Sequence, residues 1–373
     1  EHLSKIIQVI KHMVIYRKYR PQTFKEIIGQ DNIVRILENE IKSDKIAHAY
    51  LFTGPRGLGK TTIARLVAKA VNCKNRKPGQ SEPCNKCQPC QDVMKARFMD
   101  LIELDAASQT GVDNVRENII SYSRIPPTQG NYKVFVIDEC HQLSTQAMQA
   151  LLKTLEEPPS HIIFILATTE PHKLLDTIIS RCQRFDFRKV SLEEIVKRME
   201  KIVKLEKIKV NKKILQNIAL RSEGCVRDAE SLLGQILALD GKEITEKEAS
   251  LVIPPSQTTE IVKLLELIFK KDQAGAIKMI NDLLQEGTNL EQFVTDLIEF
   301  LRKMLLVKVK AINSDLYWQV DEETQNNIKR LGDKVELKHL MDIIEEFIKT
   351  KTQIGYSEIP QLPLELAILK ICE

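Results

Sequence analysis

Three groups of residues in this chain of 373 have the types and spacing to do chemistry. The first is Gly54-Pro55-Arg56-Gly57-Leu58-Gly59-Lys60-Thr61, which fits G-x-x-x-x-G-K-T. Glycines in such a loop let successive backbone N–H groups converge on phosphate oxygens, and the start of a following helix adds partial positive charge. Lys60 then suits the outer phosphates of ATP, and the Thr61 hydroxyl suits Mg²⁺. Gly54, Gly57, Gly59 and Thr62 complete the expected ATP-binding loop. The second group is Asp138-Glu139, which closes the apolar run Val134–Ile137. Acids at the end of a buried strand are costly unless ligands or solvent meet them. Asp138 suits Mg²⁺, directly or through water, and Glu139 suits the orientation of an attacking water. The third is Cys73 with Cys84-x-x-Cys87-x-x-Cys90. Such spacing lets two sulfurs reach one tetrahedral ion, and four cysteines leave no open position for water, so the expected role is a structural Zn²⁺. Pro83, Pro89 and the polar residues between fit a small module that a metal would fold. An iron–sulfur cluster is the competing reading.

These groups need elements to position them. The run Ala49–Phe52 precedes the glycine loop, and Ile63, Leu66, Val67 and Ala70 follow at helical spacing. Further strand-like runs are Leu101–Leu104, Val134–Ile137, Ile162–Ala167 and Arg184–Phe187, with helical patterns between most of them. That alternation predicts a parallel sheet with helices on both faces over residues 14–190, with the cysteine module 73–90 inserted in it. Ser191 with Glu194, and later Thr245 with Glu248, are capping-box signatures before helical runs, and residues 191–253 carry no strand signal. Pro254-Pro255 reads as a linker. Ile261, Leu264, Leu265, Ile268 and Phe269 recur at helix spacing, as do Leu337, Leu340, Met341, Ile344, Phe347 and Ile348. The expected plan is an α/β nucleotide-binding domain, an all-α unit over 191–255 and a second all-α unit over 256–373. The last either packs on itself or oligomerises. Residues 1–13 read as an N-terminal extension, either native or added upstream of Met13.

The bulk numbers bound this reading. A formal net charge of +4 with 28% charged residues permits nucleic-acid contact without arguing for it. No run of 18 or more apolar residues appears, so no membrane-spanning helix is expected. Eight cysteines, four of them in one cluster, read as an intracellular metal site and not as a disulfide framework.

The chain resembles the AAA+ clamp loaders, and among them the bacterial gamma/tau subunits of DNA polymerase III. The resemblance is carried by Tyr16-Arg17-Lys18-Tyr19-Arg20-Pro21-Gln22-Thr23-Phe24 leading to Gly29-Gln30, by His48-Ala49-Tyr50-Leu51-Phe52, and by Leu151-Leu152-Lys153-Thr154-Leu155-Glu156-Glu157-Pro158-Pro159. Ala167-Thr168-Thr169 and Ser180-Arg181-Cys182 extend it. It implies an AAA+ P-loop domain with a zinc insertion, a helical lid and a helical collar that assembles a hetero-pentamer with other clamp-loader subunits. It implies a cytoplasmic ATPase that opens a sliding clamp, loads it on primer–template DNA and hydrolyses ATP to release it. The chain itself has no polymerase site. Polymerase and helicase contacts are expected only through a C-terminal extension, found in the family's longer form and absent here. Thr169, or else Thr168, would sense the γ-phosphate. Arg181 would act in trans on a neighbour's ATP, and Arg227, in Gly224-Cys225-Val226-Arg227, would contact ATP from the lid. The family usually has Ser where Cys225 stands.

Other residues carry less. Arg116, Ser144 and Lys153 resemble positions that face DNA, although solvated helix faces read equally well there, and Ser144 also suits a helix N-cap. His141 reads as a packed or solvent-facing group, Cys140 as inert, and Trp318 as core. A non-hydrolytic scaffold would be expected to lack one of Lys60, Asp138, Glu139 or Arg181. A branch-migration motor would lack the zinc insert and the C-terminal helical unit.

Overall fold

The short runs pair into one parallel sheet whose three central strands are buried on both faces and must hand their backbone hydrogen bonds to neighbours, while the edge strands are only partly covered. The computed structural model describes residues 14–108, 111–239, 243–249, 252, 258–309, 322–357 and 359–372. The N-terminal extension, the Pro254-Pro255 linker and Trp318 lie outside the described residues. Five strands, β1 (Ala49–Thr53), β2 (Leu101–Asp105), β3 (Lys133–Asp138), β4 (Ile162–Thr168) and β5 (Gln183–Asp186), form the sheet in the order β2-β3-β4-β1-β5. Register sets Thr53 beside Thr168 and Ile137 beside Leu166. The ends of β1, β4 and β3 are therefore adjacent, with β4 in the middle.

Helices cover both faces. Ile33, Leu37 and Ile41 of α1 (Asp31–Lys42) and Ile63, Leu66 and Val67 of α2 (Lys60–Val71) pack with Phe52, Val134 and Ile165. After α3 (Gln88–Met94) in the cysteine module, α4 (Thr145–Glu156) packs Leu151 and Leu155 with Leu51, Phe135 and Phe164 on the other face. Two buried side chains fix the approach to β3. The fully buried Asp100 carboxylate accepts from the backbone N–H groups of Thr128 (2.7 Å), Gln129 (2.7 Å) and Gly130 (2.8 Å). The Asn72 carbonyl accepts from those of Asn131 (2.8 Å) and Tyr132 (2.9 Å).

Three further helices, α5 (Leu192–Glu206), α6 (Lys212–Arg221) and α7 (Val226–Leu237), share a core of Ile195, Met199, Ile218, Leu233 and Ile236. The Ser191–Glu194 capping box is present at the start of α5. Thr245 and Glu248 make the same reciprocal bonds. Contrary to the sequence reading, this region contains strand. Lys209–Val210 (β6) and Glu243–Ile244 (β7) pair in parallel, and two residues are too few to show alternation. Residues 14–19 also pack here, with Ile15 buried in the same core.

The chain divides into two compact units, residues 1–253 and 254–373. In the second, α8 (Thr258–Phe269), α9 (Gln273–Gln285), α10 (Leu290–Lys308), α11 (Glu322–Gly332), α12 (Leu337–Ile354) and α13 (Leu362–Cys372) enclose Leu264, Phe293, Leu297, Leu340, Phe347 and Leu364. The apolar stripe read from α12 splits. Leu340 and Phe347 are buried, whereas Leu337, Met341 and Ile348 are exposed. Among the described residues no helix is long and apolar enough to cross a membrane.

Replacing Asp100 by Ala strips acceptors from three backbone donors that fold against a buried site. Asp100→Ala should destabilise the first unit by roughly 3–5 kcal/mol, measurable by denaturant unfolding. A change below 1 kcal/mol would show that water replaces the carboxylate.

Candidate functional site

β1 ends at Thr53, and the chain turns through the glycine loop into α2. The Gly54 N–H donates to the Thr168 carbonyl at 3.1 Å, which ties the loop to β4. Gly57 has φ +72, and a Cβ there would collide with the Cys225 sulfur. The Arg227 N–H, in the first turn of α7, donates to the Gly57 carbonyl at 3.3 Å. Glycine at this position therefore lets α7 seat directly on the loop. Gly59 immediately precedes α2 with φ +95, and Thr62 lies in the first turn. The largely buried Lys60 ammonium donates to the loop's own carbonyls, Gly54 (2.6 Å) and Pro55 (2.8 Å). Burial pushes its pKa below the ordinary lysine value, opposed by the charges of Glu139 and Asp138.

The acid pair reaches the same place from β3. Thr61 Oγ1 donates to Asp138 Oδ2 at 2.7 Å, so the two expected Mg²⁺ ligands are already in contact. Glu139 adopts φ +48, in the left-handed region that non-glycine residues rarely occupy. Its carboxylate is held on both oxygens: Oε1 accepts from Arg56 Nε (3.3 Å) and Oε2 from Thr169 Oγ1 (3.0 Å). Of the two candidate threonines, Thr169 is thus the one that meets Glu139. Thr168 is fully buried and its hydroxyl faces His141 Nδ1 at 2.9 Å. His141 is buried against Thr168, Gln142 and the carboxylates of Glu139 (3.5 Å) and Glu170 (3.3 Å). Burial raises the Cys140 thiol far above the ordinary range, consistent with an unreactive side chain.

Two participants were not singled out from sequence. Arg56 occupies a position at which the loop pattern accepts any residue, so its type carried no signal. Tyr16 lies far off in sequence, yet the Arg227 guanidinium sits 4.8 Å from its ring centroid. That spacing is within cation–π range.

The remaining candidates stand apart from this cluster. Arg181 follows the single helical turn Asp176–Ile179. Its Nη2 donates to Glu156 Oε1 at 2.6 Å and its Nη1 to the Thr177 carbonyl at 2.7 Å. Ser144 caps α4, its hydroxyl accepting from the Ala147 N–H at 3.2 Å, and Lys153 is exposed on the same helix. The backbone of Arg116 opens the π-helical stretch Arg116–Ser121, and its side chain lies outside what is described.

The sulfurs of Cys73, Cys84, Cys87 and Cys90 all lie within 4.8 Å of one another, those of Cys73 and Cys87 at 3.9 Å. A zinc tetrahedron with Zn–S bonds of about 2.3 Å places its sulfurs roughly 3.8 Å apart. Burial opposes ionisation of Cys84, but the backbone N–H groups of Lys86 and Cys87 outweigh it and hold that thiol at about 6. All four cysteines are free of disulfides. The set is compatible with a tetrahedral Zn²⁺.

A parallel sheet with a glycine loop at the end of one strand and an acid pair two strands away defines the P-loop class. A family model described as DNA polymerase III, delta subunit, matches residues 29–191. One described as DNA polymerase III subunits gamma and tau domain III matches residues 256–373. The DNA polymerase III subunit tau of Bacillus subtilis is 40% identical over 364 residues, 98% of this chain and 64% of that protein. The subunit gamma of Buchnera aphidicola subsp. Baizongia pistaciae is 33% identical over 366 residues, 97% of each. The chain belongs to the gamma/tau subunit family of DNA polymerase III, and it spans less than two thirds of the length of the Bacillus relative. Among solved structures, the Bacillus subtilis DNA clamp loader delta protein is similar with a TM-score of 0.43 and 14% identity, covering 90% of this chain and 98% of that one.

Elemental analysis of the purified chain should find one zinc per chain. Chelation should make Cys73, Cys84, Cys87 and Cys90 titratable by a thiol reagent without releasing the buried Cys140. A metal-free preparation whose four thiols stay protected would refute a metal-held module.

Proposed function

We propose that this chain is an ATP-driven clamp-loader subunit. It binds ATP and Mg²⁺, takes part in opening a sliding clamp and placing it on primer–template DNA, and hydrolyses ATP to release both. The observation that carries the reading is the meeting of Lys60, Thr61, Asp138, Glu139 and Thr169 at the ends of three adjacent strands, in a chain of the gamma/tau family. Gly54, Gly57, Gly59 and Thr62 complete the phosphate loop, and Lys60 leaves its carbonyl partners for the outer phosphates. Thr61 and Asp138 hold Mg²⁺, which neutralises charge on the phosphate oxygens when bound. Glu139 orients water once Thr169 and Arg56 release it. Thr169 senses the γ-phosphate, and Arg227 reaches it from α7.

Residues 14–190 are then the AAA+ domain, with the zinc module 73–90, and residues 191–255 a helical lid ending at the boundary between the two units. Residues 256–373 form the collar of a hetero-pentamer with related subunits. Exposed apolar side chains on α12 and α13 support the collar role. Ile348 is 51% exposed and Leu366 57%, and Tyr356 just beyond α12 is 90% exposed. Such a surface is expected where a partner covers it. Arg116, Ser144 and Lys153 face the DNA in this reading, and Arg181 serves a neighbouring subunit's ATP. The site of action is the cytoplasm, and no membrane contact is involved.

Glu139→Gln keeps the size and an acceptor oxygen for Arg56, with its amide N–H turned to donate to the Thr169 hydroxyl, but cannot carry the charge that polarises water. It should bind ATP with wild-type affinity while DNA- and clamp-stimulated hydrolysis falls at least about 10²-fold. Turnover at the wild-type rate would remove Glu139 from the mechanism.

Arg181→Ala should leave ATP binding by the isolated chain intact and cut stimulated hydrolysis in the assembly by roughly 10³–10⁵-fold. Mixing it with Lys60→Ala chains should restore partial activity, only at interfaces joining an intact arginine to an intact loop. Weaker ATP binding by the isolated Arg181→Ala chain would place the residue in cis.

A further inference from the structure

The cysteine module does more than close on itself. Glu82, between Cys73 and Cys84, is aimed away from the sulfurs and into residues 22–25. Its Oε2 accepts from the Phe24 N–H at 2.9 Å and its Oε1 from the Lys25 N–H at 3.0 Å. A carboxylate taking two successive backbone N–H groups is a strong, directional fixture. From α2, Lys69 reaches the same segment. It is 2% exposed, and its ammonium donates to Gln22 Oε1 (2.8 Å) and to the Gln22 carbonyl (3.1 Å). The module is in turn fastened to α1, by Ser81 to Glu38 (3.0 Å) and by Arg76 to the Ile41 carbonyl (3.0 Å).

The other end of this segment belongs to the lid. Ile15 lies in the core of α5–α7 and abuts Gly234. The Tyr19 hydroxyl donates to Glu206 at 2.9 Å, and Lys18 pairs with the same carboxylate at 2.7 Å. Arg198 donates to the Tyr19 carbonyl while paired with the buried Glu230. Tyr16 presents its ring to Arg227. Residues 14–25 are therefore a strap. Its first half lies under the arginine that contacts the phosphate loop, and its second half is held by the cysteine module.

We propose that the cysteine module anchors this strap, with Glu82 as the positioning residue through which the module sets the placement of Tyr16 and hence of Arg227. This gives the module a purpose within the nucleotide site, and it rests on the ATP-binding reading of that site. The coupling runs from the Cys73–Cys90 module through Glu82 to Phe24–Lys25, then along the backbone of residues 17–23 to Tyr16, and from Tyr16 to Arg227 and Gly57. Lys69 and Gln22 form a second, parallel tie. Thr23, with φ −136 and ψ 158, and the extended Ile27 flank the single 3₁₀ turn Phe24–Glu26, so Glu82 caps a turn that is too short to hold itself.

The test compares wild type, Glu82→Ala and chelator-treated wild type, by amide exchange resolved at Phe24 and Lys25, by binding of ATP to the whole chain, and by zinc content. Glu82→Ala should lower protection at both amides about tenfold or more. It should weaken ATP binding several-fold and leave zinc at the wild-type level. Chelation should produce the same two effects together with opening of residues 73–90. Glu82→Gln retains one carbonyl oxygen and should fall between. It also serves as the variant of record should Glu82→Ala fail to fold. Unchanged protection at Phe24 and Lys25 in the Glu82 variants would overturn the anchor. Lost protection with unchanged ATP affinity would overturn the positioning of Arg227. A wild-type chain that binds no ATP would instead defeat the nucleotide reading, and the exchange result would still decide whether Glu82 anchors the strap.

Discussion

Central strands of a parallel sheet, buried on both faces, can present polar groups only where they end, and the candidate site depends on that constraint. The strands β1, β3 and β4 run through apolar interior and terminate in Thr53, Asp138 and Thr168. Burying an unpaired hydroxyl or carboxylate is expensive, so these ends pair with one another and with the loop that follows β1. Gly54 donates to the Thr168 carbonyl, Thr61 to Asp138, and Thr169 to Glu139. The result is a polar ledge on an apolar block. Its geometry is fixed by strand register, which side-chain freedom could not provide.

Much of this was legible in the residues. Four of the five long strands lie on apolar runs bounded by loop residues, whereas β5, Gln183–Asp186, has only Phe185 buried; both capping boxes form as their spacing demands. The glycine loop and the acid pair identify themselves because each demands particular residue types at fixed separations. Strand order was not legible, since nothing in a linear pattern says that β4 inserts between β1 and β3. That insertion is what makes a threonine after β4, and not one after β1, the neighbour of Glu139. Thr168 stays open in the sequence as the alternative to Thr169 for a related reason: successive residues leaving a strand point opposite ways, and the register decides which. The two-residue pair of β6 and β7 was too short to leave a pattern. Arg56, Tyr16 and Glu82 act through contacts between segments far apart in sequence, so their types alone announce nothing.

Helix α7 meets the glycine loop through very little material. A backbone hydrogen bond from Arg227 to Gly57 is joined there by the Cys225 sulfur and the Arg227 Cβ against the same glycine. A contact this small is easily shifted, and it gains definition from what lies behind it. Tyr16 backs Arg227, and the buried Arg198–Glu230 pair holds the strap that carries Tyr16. Removing either partner of such a pair leaves an uncompensated charge in a nearly dry site. The strap is thus built from interactions that are costly to break, and the contact with the glycine loop from ones that are not.

The segment Thr128-Gln129-Gly130-Asn131-Tyr132 looks like a place where chain length is free: polar, glycine-containing and between two regular elements. Five consecutive N–H groups there are nevertheless committed to Asp100 and Asn72, residues 28 to 60 positions upstream. One added residue would put every later donor out of step with its acceptor. Length variation among related chains should therefore fall before Thr128, and a tag or domain grafted at Gly130 would shift the frame from which β3 delivers its acids. A loop by appearance, this stretch is metrically as rigid as a strand.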